Sequence, residues 1–168
     1  SARRKVIHEI ICSYEGRVFN EAGDSIVSEF PTNEAAAKSA LDIQTEMVRL
    51  NMGSVAERKM LFRAGINYGE VIDSDGNVFG DTVNIAARLE AASTPEGVYM
   101  SETAHKTLNP EMSEKFSYLG ALSLKNISSD VEVYMWTPGY QTGRYGSSDT
   151  TKVNEAEKIA GSLAVLEL

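Results

Sequence analysis

The sequence is poor in cysteine and histidine and has no long apolar run. With Cys12 as its single cysteine, the chain cannot form an internal disulfide, and a buried thiol in a reducing, cytoplasmic setting is expected. The two histidines, His8 and His105, have no partner His or Cys at ligand spacing, so no histidine metal site is predicted. No run of eighteen apolar residues and no secretory signal occurs, so we predict no membrane insertion.

Basic residues are outnumbered by acidic ones, 16 to 24, which gives a formal net charge of −8 at pH 7. A nucleic-acid partner is therefore not expected, because phosphate backbones attract basic surfaces. The same charge is compatible with a nucleotide ligand, since a local pocket of Arg and Lys with a divalent metal ion can hold a triphosphate on an acidic protein.

Helical and strand-like patterns alternate over the first 137 residues. Apolar spacing predicts helices, at 2–14, 33–50, 81–90 and 102–108. Alternating and short apolar runs predict strands, at 17–20, 25–30, 59–73 with a break at Gly69, 97–101, 116–124 and 131–136. Strands that alternate with helices and then form hairpins indicate an α+β sandwich of helices on a mostly antiparallel sheet.

The character of the sequence changes at Pro138. The residues that follow are polar and rich in Gly and Ser, which is typical of a linker, and Ser162–Leu166 is apolar again. We therefore expect one domain over residues 1–137. Residues 138–168 are interpreted as a linker and the start of a following segment.

The most informative stretch runs from Gly76 to Glu90 and reads as a hairpin tip that leads into a helix. Asp75 and the glycine after it suit a tight turn, and Gly80 frees the backbone before the helix. Within the helix, Asn84 and Arg88 are four residues apart and share one face. A guanidinium matches phosphate oxygens, so this pair suits an anionic ligand, although such pairs are also common on solvated helix faces.

Three motifs occur in an order that resembles the class III adenylate/guanylate cyclase catalytic domain of bacterial type, over about residues 1–137. They are Gly16-Arg17-Val18-Phe19-Asn20-Glu21-Ala22-Gly23-Asp24, Gly80-Asp81-x-Val83-Asn84-x-Ala86-x-Arg88 and Leu124-Lys125-Asn126-Ile127. The resemblance implies a ferredoxin-like α+β sandwich with a mostly antiparallel sheet and helices packed on one face. It also implies that the displayed chain lacks the first strand of that fold.

By this resemblance the chain is an adenylate cyclase, a lyase that converts ATP to cyclic AMP and pyrophosphate with two Mg²⁺ or Mn²⁺ ions. Asp24 would bind metal, and the second metal-binding aspartate of the family is expected upstream of Ser1. Asn84 would orient the ribose and Arg88 would stabilise charge on the phosphates. Lys125 would reach the terminal phosphates.

The resemblance also implies a homodimer, because metal-binding and transition-state residues of these cyclases come from opposite subunits. Two base-selecting positions match neither purine. Asn20 stands where adenylate cyclases usually carry Lys and guanylate cyclases Glu, and Asn77 stands where Asp or Thr is usual for adenine and Cys for guanine. An amide both donates and accepts hydrogen bonds, so neither position forces a purine, and the absence of Glu at position 20 favours ATP.

Two alternatives stay open. The first is a guanylate cyclase. The second is a catalytically incomplete cyclase-like module that dimerises and serves regulation, which the two asparagines and the absent first aspartate favour. The preserved residues favour the enzyme, namely Asp24, Asn84, Arg88 and Lys125.

Overall fold

The structure is a computed structural model that describes residues 2–55, 59–69, 72–74, 77–79, 81–138 and 162–167, with the backbone alone at 72–74, 77–79 and 162–167. It contains helices α1 (Ala2–Ser13), α2 (Asn33–Asn51), α3 (Asp81–Ala92), α4 (Glu102–His105) and α5 (Pro110–Ser113). The strands are β1 (Arg17–Ala22), β2 (Ser25–Phe30), β3 (Arg63–Tyr68), β4 (Ile72–Ser74), β5 (Asn77–Phe79), β6 (Val98–Ser101), β7 (Ser117–Leu122), β8 (Val131–Trp136) and β9 (Ser162–Glu167). Among the described residues, none of the helices has both the length and the apolar character needed to cross a membrane.

Seven strands form a mixed sheet in the order β1-β2-β9-β3-β6-β8-β7, and β4 pairs with β5 in a separate antiparallel ladder. The outer pairs β1–β2, β6–β8 and β7–β8 are antiparallel. The central pairs β2–β9, β9–β3 and β3–β6 are parallel. The predicted α+β class is confirmed, and its antiparallel hairpins flank a parallel centre.

Strand β9 lies at the centre of the sheet. Its residues 162–167 run in register with 25–30 of β2 on one side and with 63–68 of β3 on the other. The sequence analysis interprets the apolar stretch Ser162–Leu166 as the start of a following segment. In the structure this strand joins the β1–β2 hairpin to the rest of the sheet, because its backbone pairs on both sides.

Helices cover both faces of the sheet. On one face, α1 and α2 enclose the larger core, which includes Ile7, Ile11, Ile26, Phe30, Ala40, Ile43, Met47, Ala64, Ile66, Val98 and Met100. On the other face, Leu89 of α3 packs with Tyr99 and Val133. Successive strand residues point to opposite faces, which is why Tyr99 and its neighbours Val98 and Met100 belong to different clusters. The expected packing of helices on one face holds for α1 and α2, whereas α3 lies on the opposite face.

Helix α3 lies directly against β3 because Gly65 has no side chain. A Cβ at Gly65 would overlap the carbonyl oxygen of Ala86 and the amide nitrogen of Glu90. Close backbone approach of this kind is a recognised reason for glycine inside a strand. The glycine therefore fixes the middle and the end of α3 against the centre of the sheet.

The largest differences between the predicted and observed element boundaries occur in two places. The predicted strand over 59–73 is divided into β3 and β4, which belong to different ladders. The predicted helix over 102–108 is shorter, and a second short helix begins at Pro110 with Asn109 as its N-cap. Proline suits the first turn of a helix, so it begins α5 where the sequence analysis expects only a stop. Cys12 is exposed on α1 and not buried as expected.

Candidate active site

Helix α3 presents Asn84 and Arg88 away from the sheet. Its fully buried side chains are Ala86 and Leu89, whereas Asn84 is exposed and Arg88 is half-buried. Among the described residues neither Asn84 nor Arg88 has a hydrogen-bond or ion-pair partner for its side chain. The predicted pair is therefore one helical turn apart, with its polar groups available to a ligand.

Lys125 lies on the same side of the sheet as α3. It is exposed in the turn between β7 and β8, and the preceding residue, Leu124, is buried in the cluster that contains Leu89 of α3. This packing holds the Lys125 turn to the layer formed by α3. Asn84, Arg88 and Lys125 thus belong to elements that pack in one layer.

Asp24 lies in the turn of the β1–β2 hairpin. Ala22 pairs with Ser25, so Gly23 and Asp24 form a two-residue turn, and Gly23 adopts a φ of +60° that favours glycine. Asp24 is exposed and has no side-chain partner among the described residues. Its carboxylate is therefore available to bind a cation.

Helix α1 holds this hairpin. Arg4 donates a hydrogen bond to the carbonyl oxygen of Gly23 and forms a 3.7 Å ion pair with Glu21. The ring of His8 also contacts the Glu21 carboxylate. The sequence analysis predicts no metal site at His8 and does not single out Arg4, because these contacts join elements that no local pattern connects.

Asp24 and α3 are associated with different strands of the sheet, although Val27 of β2 packs against Ala86 of α3. The Asp24 hairpin precedes β2, which β9 separates from β3, so the two strands are two strand spacings, roughly 10 Å, apart. Among the described residues, no group of three His, Cys, Asp or Glu side chains is placed to hold a metal ion. One copy, as far as it is described, supplies Asp24 alone and does not by itself fit a two-metal site.

The structure describes the side chain of one predicted base-selecting residue, Asn20, and only the backbone of the other, Asn77. Asn20 is exposed on β1, next to the Asp24 hairpin. Asn77 begins β5, where its backbone pairs with Ser74, and its side chain lies outside the described residues. The predicted turn at Asp75-Gly76 and the glycine at position 80 also lie outside the described residues.

Glu90 is a titratable group that the sequence analysis does not identify. It follows Arg88 by two residues on α3, and its backbone lies against Gly65. Burial raises the pKa of the Glu90 carboxyl from its ordinary 4.5 to about 7, and the nearby Arg63 guanidinium opposes this rise. A carboxyl that titrates near neutral pH thus lies on the helix that carries Asn84 and Arg88.

Comparison with known proteins identifies the family. A sequence profile described as the adenylate and guanylate cyclase catalytic domain matches residues 21–137. The chain belongs to this family. The match spans Asp24, Asn84, Arg88 and Lys125, and the predicted resemblance is confirmed.

Similar structures agree with this cyclase assignment. An adenylate/guanylate cyclase/hydrolase from Silicibacter pomeroyi is 36% identical, with a TM-score of 0.75 over 81% of this chain and 79% of that one. A bacterial light-regulated adenylyl cyclase is 25% identical, with a TM-score of 0.58 over 79% of this chain and 42% of that one.

Curated relatives are longer than this cyclase domain. A Rhizobium meliloti protein with a provisional adenylate cyclase name is 32% identical over 135 residues, which are 80% of this chain and 23% of that protein. An adenylate cyclase of Glutamicibacter nicotianae is 28% identical over 100 residues, which are 60% of this chain and 23% of that protein. The chain thus spans about a quarter of the length of these relatives.

Proposed function

We propose that this cyclase domain converts ATP to cyclic AMP and pyrophosphate. The ribose 3′-oxygen forms a bond to the α-phosphorus, the bond from that phosphorus to the oxygen bridging to the β-phosphate breaks, and the 3′-hydroxyl loses its proton. The observation that carries the proposal is the Asn84–Arg88 pair on α3, which has no protein partner among the described residues. A helix held against the sheet centre presents this pair in a defined geometry.

Each polar group has a role that suits its chemistry. Arg88 would stabilise charge on the phosphates, because a guanidinium fork donates two parallel hydrogen bonds to phosphate oxygens. Asn84 would orient the ribose, since an amide both donates and accepts. Lys125 would bind the terminal phosphates as a point charge at the end of a flexible side chain.

Metal ions are part of the proposal. Two Mg²⁺ or Mn²⁺ ions would neutralise the leaving pyrophosphate and activate the attacking hydroxyl. Asp24 would be one of the carboxylates that hold them, because it is exposed and its side chain has no partner among the described residues.

A homodimer would complete the site. Asp24 belongs to a hairpin that two strand spacings separate from β3, whereas Asn84 and Arg88 lie on the helix that covers β3. We propose that Asp24 of one copy works with the Asn84, Arg88 and Lys125 of the other. The catalytic unit would span residues 1–137, with β9 completing the centre of its sheet, in a cytoplasmic signalling protein.

ATP is the proposed substrate. The two relatives described above carry adenylate cyclase names, and Asn20 lacks the carboxylate expected of a guanine-selective site. Asn20 and Asn77 can each pair with either purine, so residual use of GTP is expected.

A catalytically incomplete regulatory module is the second candidate. It is favoured by Asn20 and Asn77, which place amides at the two positions where cyclases of this family usually carry base-selecting residues. Such a module would dimerise and bind nucleotide without releasing cyclic product.

The test is to incubate the purified full-length protein with ATP or GTP and Mn²⁺, and to quantify cyclic nucleotide and pyrophosphate. We expect cyclic AMP and pyrophosphate in equal amounts, with slower turnover of GTP. Arg88→Ala should lower kcat by about a hundredfold. Arg49→Ala is the matched control, because Arg49 is an exposed arginine on α2 that pairs with Glu46.

The outcomes separate the candidates. Nucleotide binding without any product would support the regulatory module and contradict the enzyme. Faster formation of cyclic GMP than of cyclic AMP would show that GTP, and not ATP, is the preferred substrate. Equal loss of activity in the Arg88 and Arg49 variants would show that the effect is not specific to the site.

A further inference from the structure

We propose that Asn67 is a positioning residue that fixes the first turn of α3 and thereby orients Asn84 and Arg88. This inference rests on the proposed cyclase function for its kinetic consequence. Its structural consequence, a firmly held first turn of α3, can be measured without any reaction.

Asn67 lies near the end of β3 and bonds to two other elements. Its Nδ2 donates to the carbonyl oxygen of Thr82 in the first turn of α3, at 3.2 Å. Its Oδ1 accepts from the hydroxyl of Ser101 at 2.6 Å and from that of Thr103 at 3.3 Å. With 4% of its surface exposed, the Asn67 side chain is buried and uses both ends of its amide.

The surroundings determine which way the amide points. A reversed amide would place Oδ1 against the carbonyl oxygen of Thr82, so that two acceptors would meet without a hydrogen. The hydroxyls of Ser101 and Thr103 can donate to Oδ1 because hydroxyl hydrogens rotate. Only Nδ2 can therefore face α3, and the link to Thr82 is specific to an amide donor.

The first turn of α3 is buried less deeply than the rest of the helix, although Thr82 also lies close to Gly69. The fully buried side chains of α3, Ala86 and Leu89, lie in its second and third turns. The close approach at Gly65 is likewise to Ala86 and Glu90. The first turn contributes no fully buried side chain, and Thr82 lies two residues before Asn84.

Asn67 also connects α3 to α4. Ser101 ends β6 and is the N-cap of α4, where its hydroxyl accepts from the amide of Ala104 at 3.4 Å. The same hydroxyl donates to Asn67, so the starts of the two helices share one buried side chain. Displacing either helix start would break a bond in a site with little access to water, which is costly.

The test compares Asn67→Ala with Asn51→Ala. Asn51 is an asparagine with similar burial, 5% exposed, and its amide bonds to both backbone groups of Met60, at 2.7 and 3.0 Å. Asn51→Ala therefore also removes a buried amide with hydrogen bonds at both ends, but in the connection between α2 and β3, away from α3. Asn67→Asp serves as a second variant, because it keeps the shape of the side chain and replaces the donor with an acceptor.

Two readouts are measured in the full-length protein: cyclase kinetics with ATP and Mn²⁺, and amide hydrogen exchange. We expect Asn67→Ala to lower kcat by about tenfold or more, with a smaller change in KM, because a small misplacement of a catalytic group is costly. Exchange at residues 83–88 should become faster. Asn51→Ala should leave kcat within about twofold of the wild type and α3 exchange unchanged, even if both variants unfold at a lower temperature.

The outcomes also separate this inference from the proposed function. If the wild-type protein makes no cyclic nucleotide, the proposed function fails, and exchange in α3 still decides whether Asn67 holds the helix. If either Asn67 variant folds with wild-type kcat and wild-type exchange at 83–88, the positioning role is overturned. If both asparagine sites lower kcat equally, Asn67 has a general structural role and the inference is also overturned.

Discussion

Arg4 on α1 donates a hydrogen bond to the carbonyl oxygen of Gly23, the residue before Asp24. The same guanidinium pairs with Glu21 on β1, which also contacts His8. A helix near the start of the chain thus holds the turn that carries the proposed metal-binding carboxylate.

Loss of Arg4 is expected to weaken metal binding. Arg4→Ala removes the contact that holds the Gly23 carbonyl, so the Asp24 turn becomes more mobile. We expect the Mn²⁺ concentration for half-maximal cyclase activity to rise by about three- to tenfold, in line with the effect of losing a residue that orients a metal ligand. The measurement is a Mn²⁺ titration of activity at saturating ATP.

Lys5→Ala is the control for this effect. Lys5 is the adjacent residue of α1, and within the described part of the chain its side chain pairs with Glu9 through an exposed 3.9 Å contact. The Lys5 variant should titrate with Mn²⁺ as the wild type does. An unchanged midpoint in Arg4→Ala would show that α1 has no role in holding the Asp24 turn.

Complementation tests the shared dimeric site. Asp24→Asn and Arg88→Ala should each lower activity in a homodimer by about a hundredfold or more, since every site then lacks one component. A mixture in equal amounts should regain about a quarter of wild-type activity, because half of the dimers are mixed and each has one intact site of two. The assay is cyclic AMP formation after the two variants are mixed and allowed to exchange subunits.

Sedimentation of each variant provides the control for this mixing experiment. Both variants must form dimers of the wild-type size. Dimers that exchange subunits yet regain no activity would show that Asp24 and Arg88 do not meet across a subunit interface.

Glu90 is expected to make stability depend on pH. Its pKa is raised from 4.5 to about 7 by burial, with Arg63 opposing, so the folded state binds more protons than the unfolded state between these values. Stability contributed by this group is therefore present below about pH 4.5 and is lost as the pH rises to 7. Because Glu90 is partly accessible to solvent, we expect the free energy of unfolding lost over this pH range to be about 2 kcal/mol.

Urea unfolding between pH 4.5 and 8 measures this loss. The stability of Glu90→Gln relative to the wild type should increase with pH across this range. Glu111→Gln, at an exposed position of α5, should follow the wild-type profile. Parallel profiles for the wild type and the Glu90 variant would contradict the assigned titration.

Strand β9 is expected to be necessary for a stable sheet. Replacing residues 162–167 with Gly and Ser at unchanged length removes the apolar strand between β2 and β3. Both neighbouring strands would then expose an unpaired edge at the centre of the sheet. We expect a lower melting temperature and increased binding of an apolar dye.

The control for β9 is the same replacement within 141–146 of the preceding stretch. This variant should melt like the wild type. A wild-type melting temperature after replacement of 162–167 would show that β9 does not contribute to the folded sheet in solution.

The sequence predicts the elements whose signals are local. Helix α2 has a regular apolar stripe and an N-cap, Thr32, whose side chain accepts from Ala35 at 3.0 Å. The Gly23-Asp24 turn and the Asn84–Arg88 spacing are also local, because each depends on residues no more than one helical turn apart. The family resemblance, which the profile match confirms, is carried by motifs of this kind.

The position of α3 on the sheet cannot be predicted from local sequence patterns. Its periodicity identifies a helix and a buried stripe, but it does not say which face of the sheet receives that stripe. Because Gly65 has no side chain, the backbone of α3 lies directly against β3, and the amide of Asn67 binds the first turn of α3. Both residues lie on β3, which β4 and β5 separate from α3 along the chain, and neither stands out by type.

The amino-acid sequence by itself determines the motifs of the cyclase family, most of the helices and strands, and the polar pair on α3, because periodicity and capping act over a few residues. Only the tertiary structure decides that β9 lies between β2 and β3, that α1 holds the Asp24 turn, and that Asn67 binds Thr82. These contacts join residues 15 to about 140 positions apart. Their energy depends on burial and on pairing partners that exist only once the chain has folded.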